Sequence, residues 1–214
     1  MIPLILDIET FSLAEADQFI EEPTAPANYK DPAKIEAYIA EKRQENLARC
    51  ALDVDLCQIV AIGISGVPGI HVELITSPDQ EAAALTWWWG EQKHYDALCG
   101  YNILGFDLPV LIRRSQYLGV PVPYLNLDRY RTPHIDLMER LAFNGKLKYR
   151  SLDFYSRRFG ITVPDATKGK NIDALVKAED WTGVADHCRA DLEKTKQLAE
   201  RLGIIRRQEA VLTA

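Results

Sequence analysis

The sequence predicts an α/β protein in which a mixed five-stranded sheet is flanked by helices, with a helical insertion after the first strand. Short runs of branched apolar residues, typical of buried strands, recur through the first half of the chain. Helical patterns with one apolar stripe lie between and after these runs, and the last covers about 182–202. Strands and helices in this order favour a sheet that is covered on both faces.

Composition indicates one globular unit. With 214 residues, 47% hydrophobic and 26% charged, the chain is predicted to form a single domain over residues 1–214. No apolar run approaches the length of a membrane span and no signal-peptide pattern is present, so we expect a cytoplasmic protein without a membrane partner. The cysteines lack the paired spacing of zinc sites and are expected to be reduced thiols: Cys50, Cys57, Cys99 and Cys188.

Charge is unevenly distributed along the chain, whose net charge is −6. Residues 129–170 contain ten Lys and Arg against four acids, whereas residues 1–60 contain twelve acids against five bases. A local basic stretch on an acidic protein is compatible with a nucleic acid that touches one face. A solvated surface with chance clustering explains the stretch equally well.

The first predicted strand, residues 4–10, carries two acids. Alternate side chains of a strand share a face, so Asp7 and Glu9 point the same way while Ile8 points into the opposite layer. Two carboxylates at the end of a buried strand repel each other unless a cation lies between them. Their hard oxygen atoms suit Mg²⁺ or Mn²⁺. The alternative is a pair of acids on a fraying edge strand.

The segment from about 11 to 57 is predicted to be an insertion between two strands. Its first part is rich in acids and prolines and is typical of a loop. Asp31 as N-cap and Pro32 at the first helical position then favour a helix that continues to about Arg49. An insertion of this length is more often a functional lid or platform than a plain connection.

Further strands are predicted over 58–65, 70–76 and 97–102, with a turn at 67–69. A helix over about 79–93 contains three consecutive tryptophans, Trp87–Trp89. They cannot all face one core, because successive helical positions lie about 100° apart. We expect them mainly to pack, with stacking on nucleic-acid bases as the alternative.

The fourth strand leads into Asn102-Ile103-Leu104-Gly105-Phe106-Asp107, after which a helix is predicted to about residue 118. Asp107 is a plausible N-cap of that helix, and an N-cap carboxylate can also face an active site. His134 and Asp136 fall in a short element at 134–138 and are expected to be structural.

Two more helices are predicted towards the C-terminus, a capped one over 151–160 and the long one over 182–202. On the long helix His187 and Asp191 are four residues apart, an advance of about 400°, so their side chains stack on one face. The alternative is a surface pair that contributes little to stability.

These three motifs together resemble the DEDD superfamily of 3′→5′ exonucleases, which have a ribonuclease-H-like fold. In that superfamily the site is formed by Asp-x-Glu on the first strand, Asn-x-x-x-Phe-Asp after the fourth, and His or Tyr before a final helical Asp. This chain has Asp7-Ile8-Glu9, then Asn102 to Asp107, then His187 to Asp191, in the same order. The resemblance spans about residues 3–203. It is strongest to stand-alone relatives of the proofreading domains of family-B DNA polymerases, many of them encoded by phages and bacteria.

One spacing departs from the superfamily pattern. Its histidine subgroup usually places four residues between His and Asp, and its tyrosine subgroup places three between Tyr and Asp. This chain has a histidine at the tyrosine spacing, since three residues separate His187 from Asp191. The two spacings differ by about 100° around the helix, so they orient the side chain differently.

The resemblance implies a metal-dependent 3′–5′ exonuclease that releases nucleotides from the 3′ end of DNA by two-metal phosphodiester hydrolysis, in a bacterial or phage-infected cytosol. Two divalent cations, Mg²⁺ or Mn²⁺, would be bound by Asp7, Glu9, Asp107 and Asp191. These acids would be catalytic together with His187, which would orient or deprotonate the attacking water. Candidates for binding the terminal nucleotide are Thr10, Asn102 and Phe106. The implied partners are DNA 3′ ends and polymerase, replication or recombination proteins.

Two alternatives stay open at the level of sequence. The first is an RNA 3′–5′ exonuclease or another nuclease on the same fold, since no residue excludes RNA. The second is a non-catalytic module that binds nucleic acid or a polymerase. Four mutually repelling acids argue against the second, because a binding module has no reason to keep them.

Overall fold

A computed structural model describes residues 3–66, 69–128, 130–164, 167 and 172–205. Among these residues the strands form one mixed sheet in the order β3-β2-β1-β4-β5. The strands are β1 (Leu4–Ser12), β2 (Cys57–Ser65), β3 (Ile70–Leu74), β4 (Leu98–Gly100) and β5 (Ile135–Asp136). The central strand β1 pairs antiparallel with β2 and parallel with β4. The predicted five-stranded mixed sheet is therefore confirmed.

Helices cover the sheet. They are α1 (Pro32–Arg49), α2 (Glu81–Gln92), α3 (Asp107–Tyr117), α4 (Leu137–Leu141), α5 (Leu152–Arg158), α6 (Ile172–Lys177) and α7 (Trp181–Arg201). Two predicted N-caps are confirmed: Asp31 accepts the Ala33 N–H at 3.0 Å, and Ser151 accepts the Phe154 N–H at 3.2 Å. Within the described part of the chain, none of the helices has the length and apolar character needed to cross a lipid bilayer.

Some sequence predictions fall on residues outside the described ranges. They are the first two residues of the turn predicted at 67–69, Arg129, Asp165, Lys168 and Lys170 of the basic stretch, and residues 1–2 and 206–214 at the ends of the predicted domain.

The two faces of β1 pack into different layers, as its near-continuous apolar character predicts. Leu4, Leu6 and Ile8 belong to the core that contains residues of α2 and α3. Ile5 belongs instead to the core formed with α4 and α7. Because side chains alternate along a strand, Asp7 and Glu9 continue the α7 side of the sheet. This alternation places the two carboxylates beneath the last helix.

The three consecutive tryptophans of α2 are packing residues. Trp88 is fully buried, and Trp89 is buried with its indole N–H donating to the Ser115 hydroxyl at 2.8 Å. Trp87 is partly buried, and its ring lies 5.1 Å from that of His71 on β3. The expectation of packing is confirmed, and α2 uses all three rings to contact neighbouring elements.

The insertion is joined to the end of β1 by side-chain hydrogen bonds. Thr10 donates its hydroxyl to the Ala51 carbonyl at 2.6 Å, and Ser12 donates to the Leu47 carbonyl at 3.1 Å. The strand runs two residues past its predicted end, so the segment between β1 and β2 covers residues 13–56. Helix α1 has no buried residue along its length. Helix α1 therefore contacts the rest of the protein through partly buried side chains and through backbone groups such as the Leu47 carbonyl.

Gly63 allows α7 to approach the sheet closely. It lies on β2 directly opposite Asp7. A Cβ at this position would overlap the Cys188 sulfur and lie 2.7 Å from Leu192 Cδ1, both on α7. A larger residue would therefore push the helix away from the strand that carries the acids.

We expect Gly63→Ala to destabilise the protein by roughly 1–3 kcal/mol, because an added methyl group overpacks a filled interface. Urea unfolding measures the change. The matched control is Gly90→Ala in α2, where an added Cβ meets nothing within 4 Å. It should raise the free energy of unfolding by up to about 1 kcal/mol through helix propensity alone. Equal effects of the two variants would contradict close α7 packing.

Candidate active site

Three distant segments bring acids to the C-terminal half of β1. Asp7 and Glu9 lie on β1, Asp107 begins α3, and Asp191 lies in the middle of α7. One ligand atom each from Asp7, Glu9 and Cys188 lie within 4.8 Å of one another. Asp107 is fixed to the same strand, because its Oδ1 accepts the Ile8 N–H at 3.2 Å. The structure thus brings together the acids that the sequence motifs single out.

The carboxyl group of Asp7 is at the centre of the cluster. Its side chain keeps an opening to solvent, yet neighbouring atoms remove most of its hydration, and this burial raises its pKa well above the ordinary value. The negative charges of Glu9, Asp107 and Asp191 raise the pKa of Asp7 further. A hydrogen bond from the Cys188 thiol acts in the opposite direction. All three other acids are therefore close enough to act on Asp7.

Asp107 is the first residue of α3 rather than its N-cap, a position taken by Phe106. Burial raises the pKa of Asp107 to about 7, even though backbone N–H groups, that of Ile8 among them, favour the ionised form. The charge of Asp136 raises this pKa as well. The carboxylate therefore ties α3 to the site strand instead of capping its own helix.

Asp191 is held from behind by a lysine on its own helix. Lys194 Nζ lies 2.8 Å from Asp191 Oδ1 and 3.1 Å from Asp153 Oδ1, at the start of α5. The lysine side chain is only 11% exposed, so the ion pair is largely shielded from water. It orients one oxygen of Asp191 and leaves the other for a further partner.

The donor set fits a hard divalent cation. Carboxylate oxygens from Asp7 and Glu9 are ligands that Mg²⁺ and Mn²⁺ accept. The sulfur of Cys188 would suit a softer metal, but burial and the surrounding acids raise the pKa of this thiol well above its ordinary value. It therefore stays protonated, which makes it a poor metal ligand. A cation between the acids would offset the repulsion that raises the pKa of Asp7.

His187 lies on the same helix as Asp191 and is half-buried. Its Nδ1 is 3.1 Å from the hydroxyl of Thr167, which is 4% exposed. This contact fixes the plane of the imidazole ring and engages one of its two nitrogens. Thr167 did not stand out in the sequence, because it lies in no motif and twenty residues away from its partner.

The loop that carries the second motif is held by Asp136. The buried carboxylate of Asp136 accepts the backbone N–H groups of Asn102 and Leu104 at 3.1 and 3.0 Å, and also caps α4. Asn102 has a positive φ of 64°, and its Oδ1 would meet any Cβ at Gly105 at 2.5 Å. The expectation that Asp136 is structural is confirmed. Its hydrogen bonds fix the backbone of the loop that leads to Asp107.

The other two candidates for nucleotide binding differ in their surroundings. Phe106 is partly buried and packs against the core on the α2 and α3 side. Thr10 is 8% exposed, and its hydroxyl is engaged by the Ala51 carbonyl of the insertion. Both lie next in sequence to a site acid, Asp107 or Glu9.

Sequence reasoning missed several residues that shape the site. The i, i+3 spacing of Asp191 and Lys194 on one helix could have indicated their ion pair. The contact of Lys194 with Asp153 and the close approach at Gly63 depend on tertiary packing, and no local signal predicts them.

Comparison with known proteins agrees with this fold. Over 93% of its length the chain superimposes on the family B DNA polymerase of the hyperthermophilic archaeon Pyrobaculum calidifontis, with a TM-score of 0.61 and 19% identity. It is also 25% identical, over 80% of its length, to a DNA polymerase of Red sea bream iridovirus. The chain spans 24% and 22% of these two proteins, so each is about four times longer.

The sequence family that matches is described as a predicted 3′-5′ exonuclease related to the exonuclease domain of PolB. The match covers residues 51–206, which include Asp107, His187 and Asp191 but neither β1 nor most of the insertion. The superposition on the archaeal polymerase shows the ribonuclease-H-like fold. With most of its length matched, this chain belongs to the family of predicted 3′-5′ exonucleases related to the exonuclease domain of PolB.

Proposed function

We propose that the chain is a metal-dependent 3′–5′ exonuclease that releases nucleotides from the 3′ end of DNA. The observation that carries this proposal is the convergence of carboxylates from β1, α3 and α7, in which three acids raise the pKa of Asp7. Such a cluster is costly unless it binds cations. Membership of a family of predicted 3′-5′ exonucleases supports the proposal.

The acids have distinct roles in this proposal. Asp7 would be shared by the two cations, Glu9 and Asp191 would hold the one that activates the attacking water, and Asp107 would support the second. When bound, two Mg²⁺ or Mn²⁺ ions lower the pKa of that water and offset charge on the phosphate oxygens. Lys194 keeps the carboxylate of Asp191 in one orientation. The chain itself therefore contributes placement and negative charge.

His187 is proposed to take the proton of the attacking water. When Nδ1–H donates to the Thr167 hydroxyl, Nε2 keeps its lone pair and can act as a base. The contact with Thr167 orients the ring and is compatible with the tautomer that catalysis needs. The position of His187 on α7, one turn before Asp191, supports this assignment.

The substrate-binding residues, the domain and the partners extend the same proposal. Asn102 and Phe106 bind the terminal nucleotide. Thr10 lies at the edge of the nucleotide site, and its hydroxyl donates to the Ala51 carbonyl of the insertion. Residues 1–214 act as one exonuclease unit with the insertion at about 11–57. The polymerases to which the chain is similar support a polymerase as partner. Replication or recombination proteins as partners, and a bacterial or phage-infected cell as the setting, are the further parts of the proposal.

The first prediction concerns the reaction. With Mn²⁺ or Mg²⁺, a 5′-labelled DNA strand should give a ladder of shortening products, and EDTA should abolish the ladder because the acids then repel phosphate. An RNA strand of the same sequence and a circular single strand serve as controls. Faster degradation of RNA than of DNA would indicate an RNA exonuclease. Cuts in the circular strand would indicate an endonuclease. If no strand is cleaved with metal present, the protein is a non-catalytic binding module.

The second prediction concerns Asp7→Asn, which should abolish activity but stabilise the metal-free protein. The pKa of Asp107 is about 7 in the folded protein and about 4 in the unfolded chain, so the free energy of unfolding falls as the pH rises between these values. The raised pKa of Asp7 lowers the free energy of unfolding in the same direction. At neutral pH and above, removing the charge of Asp7 should therefore raise the free energy of unfolding in EDTA.

Thermal unfolding of wild type and Asp7→Asn, in EDTA and in Mn²⁺, measures this effect. Mn²⁺ should stabilise the wild type and have less effect on the variant, since binding to the native state adds stability. Metal-dependent activity that survives in Asp7→Asn would count heavily against the proposed site.

The third prediction concerns His187. Its replacement by Ala should lower the cleavage rate on the order of 10²–10⁴-fold, as expected for loss of a general base. Thr167→Val should lower the rate less, because the ring loses a hydrogen bond that orients it. Single-turnover cleavage at several pH values measures both. An unchanged rate in His187→Ala would make this residue a bystander.

A further inference from the structure

An exposed segment next to the site combines positive charge with large apolar side chains. We call it the basic-aromatic strip, residues 143–150, with the sequence Phe-Asn-Gly-Lys-Leu-Lys-Tyr-Arg. All eight residues are exposed, three are cations and none is an acid. Phe143, Leu147 and Tyr149 are 64%, 56% and 41% exposed. On a chain of net charge −6, such a surface stands out.

The strip begins in a tight turn rather than a loose loop. Phe143 and Asn144 have φ values of 52° and 55°, which are uncommon for residues with side chains and most of all for a bulky one. The Asn144 N–H donates to the Glu139 carbonyl at 2.8 Å, and the Leu147 N–H donates to the Ala142 carbonyl at 2.9 Å. Glycine would adopt this backbone at lower cost. The turn therefore holds Phe143 in a strained, outward position.

The other end of the strip is fixed to the candidate active site. The Tyr101 hydroxyl donates to the Arg150 carbonyl, and Tyr101 directly precedes Asn102. Three residues past the strip, Asp153 contacts Lys194, which in turn contacts Asp191. The Tyr149 hydroxyl donates to Glu139 at 3.0 Å and anchors its ring. The C-terminal end of the strip is therefore linked through these contacts to the segments that carry the site acids.

The chemistry of the strip fits a strand of unpaired nucleotides. Lys146, Lys148 and Arg150 attract the phosphates that the site acids repel. Exposed rings stack on bases only when those bases are not paired, and such stacking tolerates any sequence. We infer that the basic-aromatic strip binds the single-stranded part of the substrate behind the terminal nucleotide. This inference rests on the proposed function and adds a second contact region to it.

The experiment compares long and minimal substrates. Lys146→Ala/Lys148→Ala should raise the KM for an oligo(dT) of about 20 nucleotides on the order of 10-fold at about 0.1 M salt. The salt dependence of binding should fall by about 1.4 in log–log slope, because two phosphate contacts are lost. Hydrolysis of the p-nitrophenyl ester of thymidine 5′-monophosphate, which is too short to reach the strip, should be unchanged. The matched control Lys93→Ala/Arg201→Ala removes the same charge from exposed positions elsewhere.

A second variant separates binding from folding. Phe143→Gly should raise the melting temperature, because glycine relieves the positive φ, yet weaken oligonucleotide binding on the order of 10-fold through loss of a stacking ring. Fluorescence anisotropy with the Asp7→Asn protein in Mn²⁺ measures this affinity without cleavage, even if the wild type proves inactive. We expect the protein to bind a single strand more tightly than a blunt duplex. In Lys146→Ala/Lys148→Ala and in Phe143→Gly, the two affinities should differ less.

The outcomes are distinct for the two proposals. Unchanged KM and affinity in both strip variants would overturn the strip while leaving the exonuclease proposal intact. Equal losses on the minimal substrate would also overturn it, since the strip would then act through the site rather than on the strand. A wild type that cleaves nothing but binds single strands through the strip would overturn the exonuclease proposal alone.

Discussion

Mutual repulsion of carboxylates is the constraint around which this structure is built. Three distant segments supply the acids Asp7, Glu9, Asp107 and Asp191. Burial removes the water that would otherwise screen the repulsion between their charges. The fold opposes the repulsion with a small set of fixed donors. These are the Ile8 N–H on Asp107, the Cys188 thiol on Asp7, and the Lys194 ammonium on Asp191. Each donor occupies one side of its acid and leaves another side available.

Packing below the acids keeps them at these positions. Gly63 lets α7 lie close against β2, and Asp136 holds the loop that leads to Asp107 through two backbone N–H groups. Neither residue belongs to a recognisable motif. A polar cluster of this kind is thus maintained by a well-packed support layer, as preorganised sites require.

Local patterns predicted the elements and much of the candidate site. Strand alternation placed Asp7 and Glu9 on one face, and the four-residue spacing placed His187 and Asp191 on one side of a helix. Helix caps at Asp31 and Ser151 followed from residue type. Such inferences succeed because they depend on backbone geometry within a few residues.

Other contacts could not be predicted because they join residues far apart in sequence. Asp136 meets the backbone 34 and 32 residues earlier, and Lys194 meets Asp153 41 residues earlier. The surroundings of His187 depend in the same way on Thr167. Long-range pairs of this kind are fixed only when the helices dock on the sheet, so a single sequence carries no signal for them.

The pairing of β1 with β2 shifts register directly after the site acids. Glu9 lies opposite Ala61 and Thr10 opposite Ile59, so Val60 is an extra residue in β2. A bulge of this kind sharpens the local twist and ends one regular stretch of pairing before the next begins. The side-chain hydrogen bonds from β1 to the insertion, those of Thr10 and Ser12, lie beyond this point. A change in the length of that segment would therefore be absorbed beyond the bulge and leave the spacing between Asp7 and Glu9 unchanged.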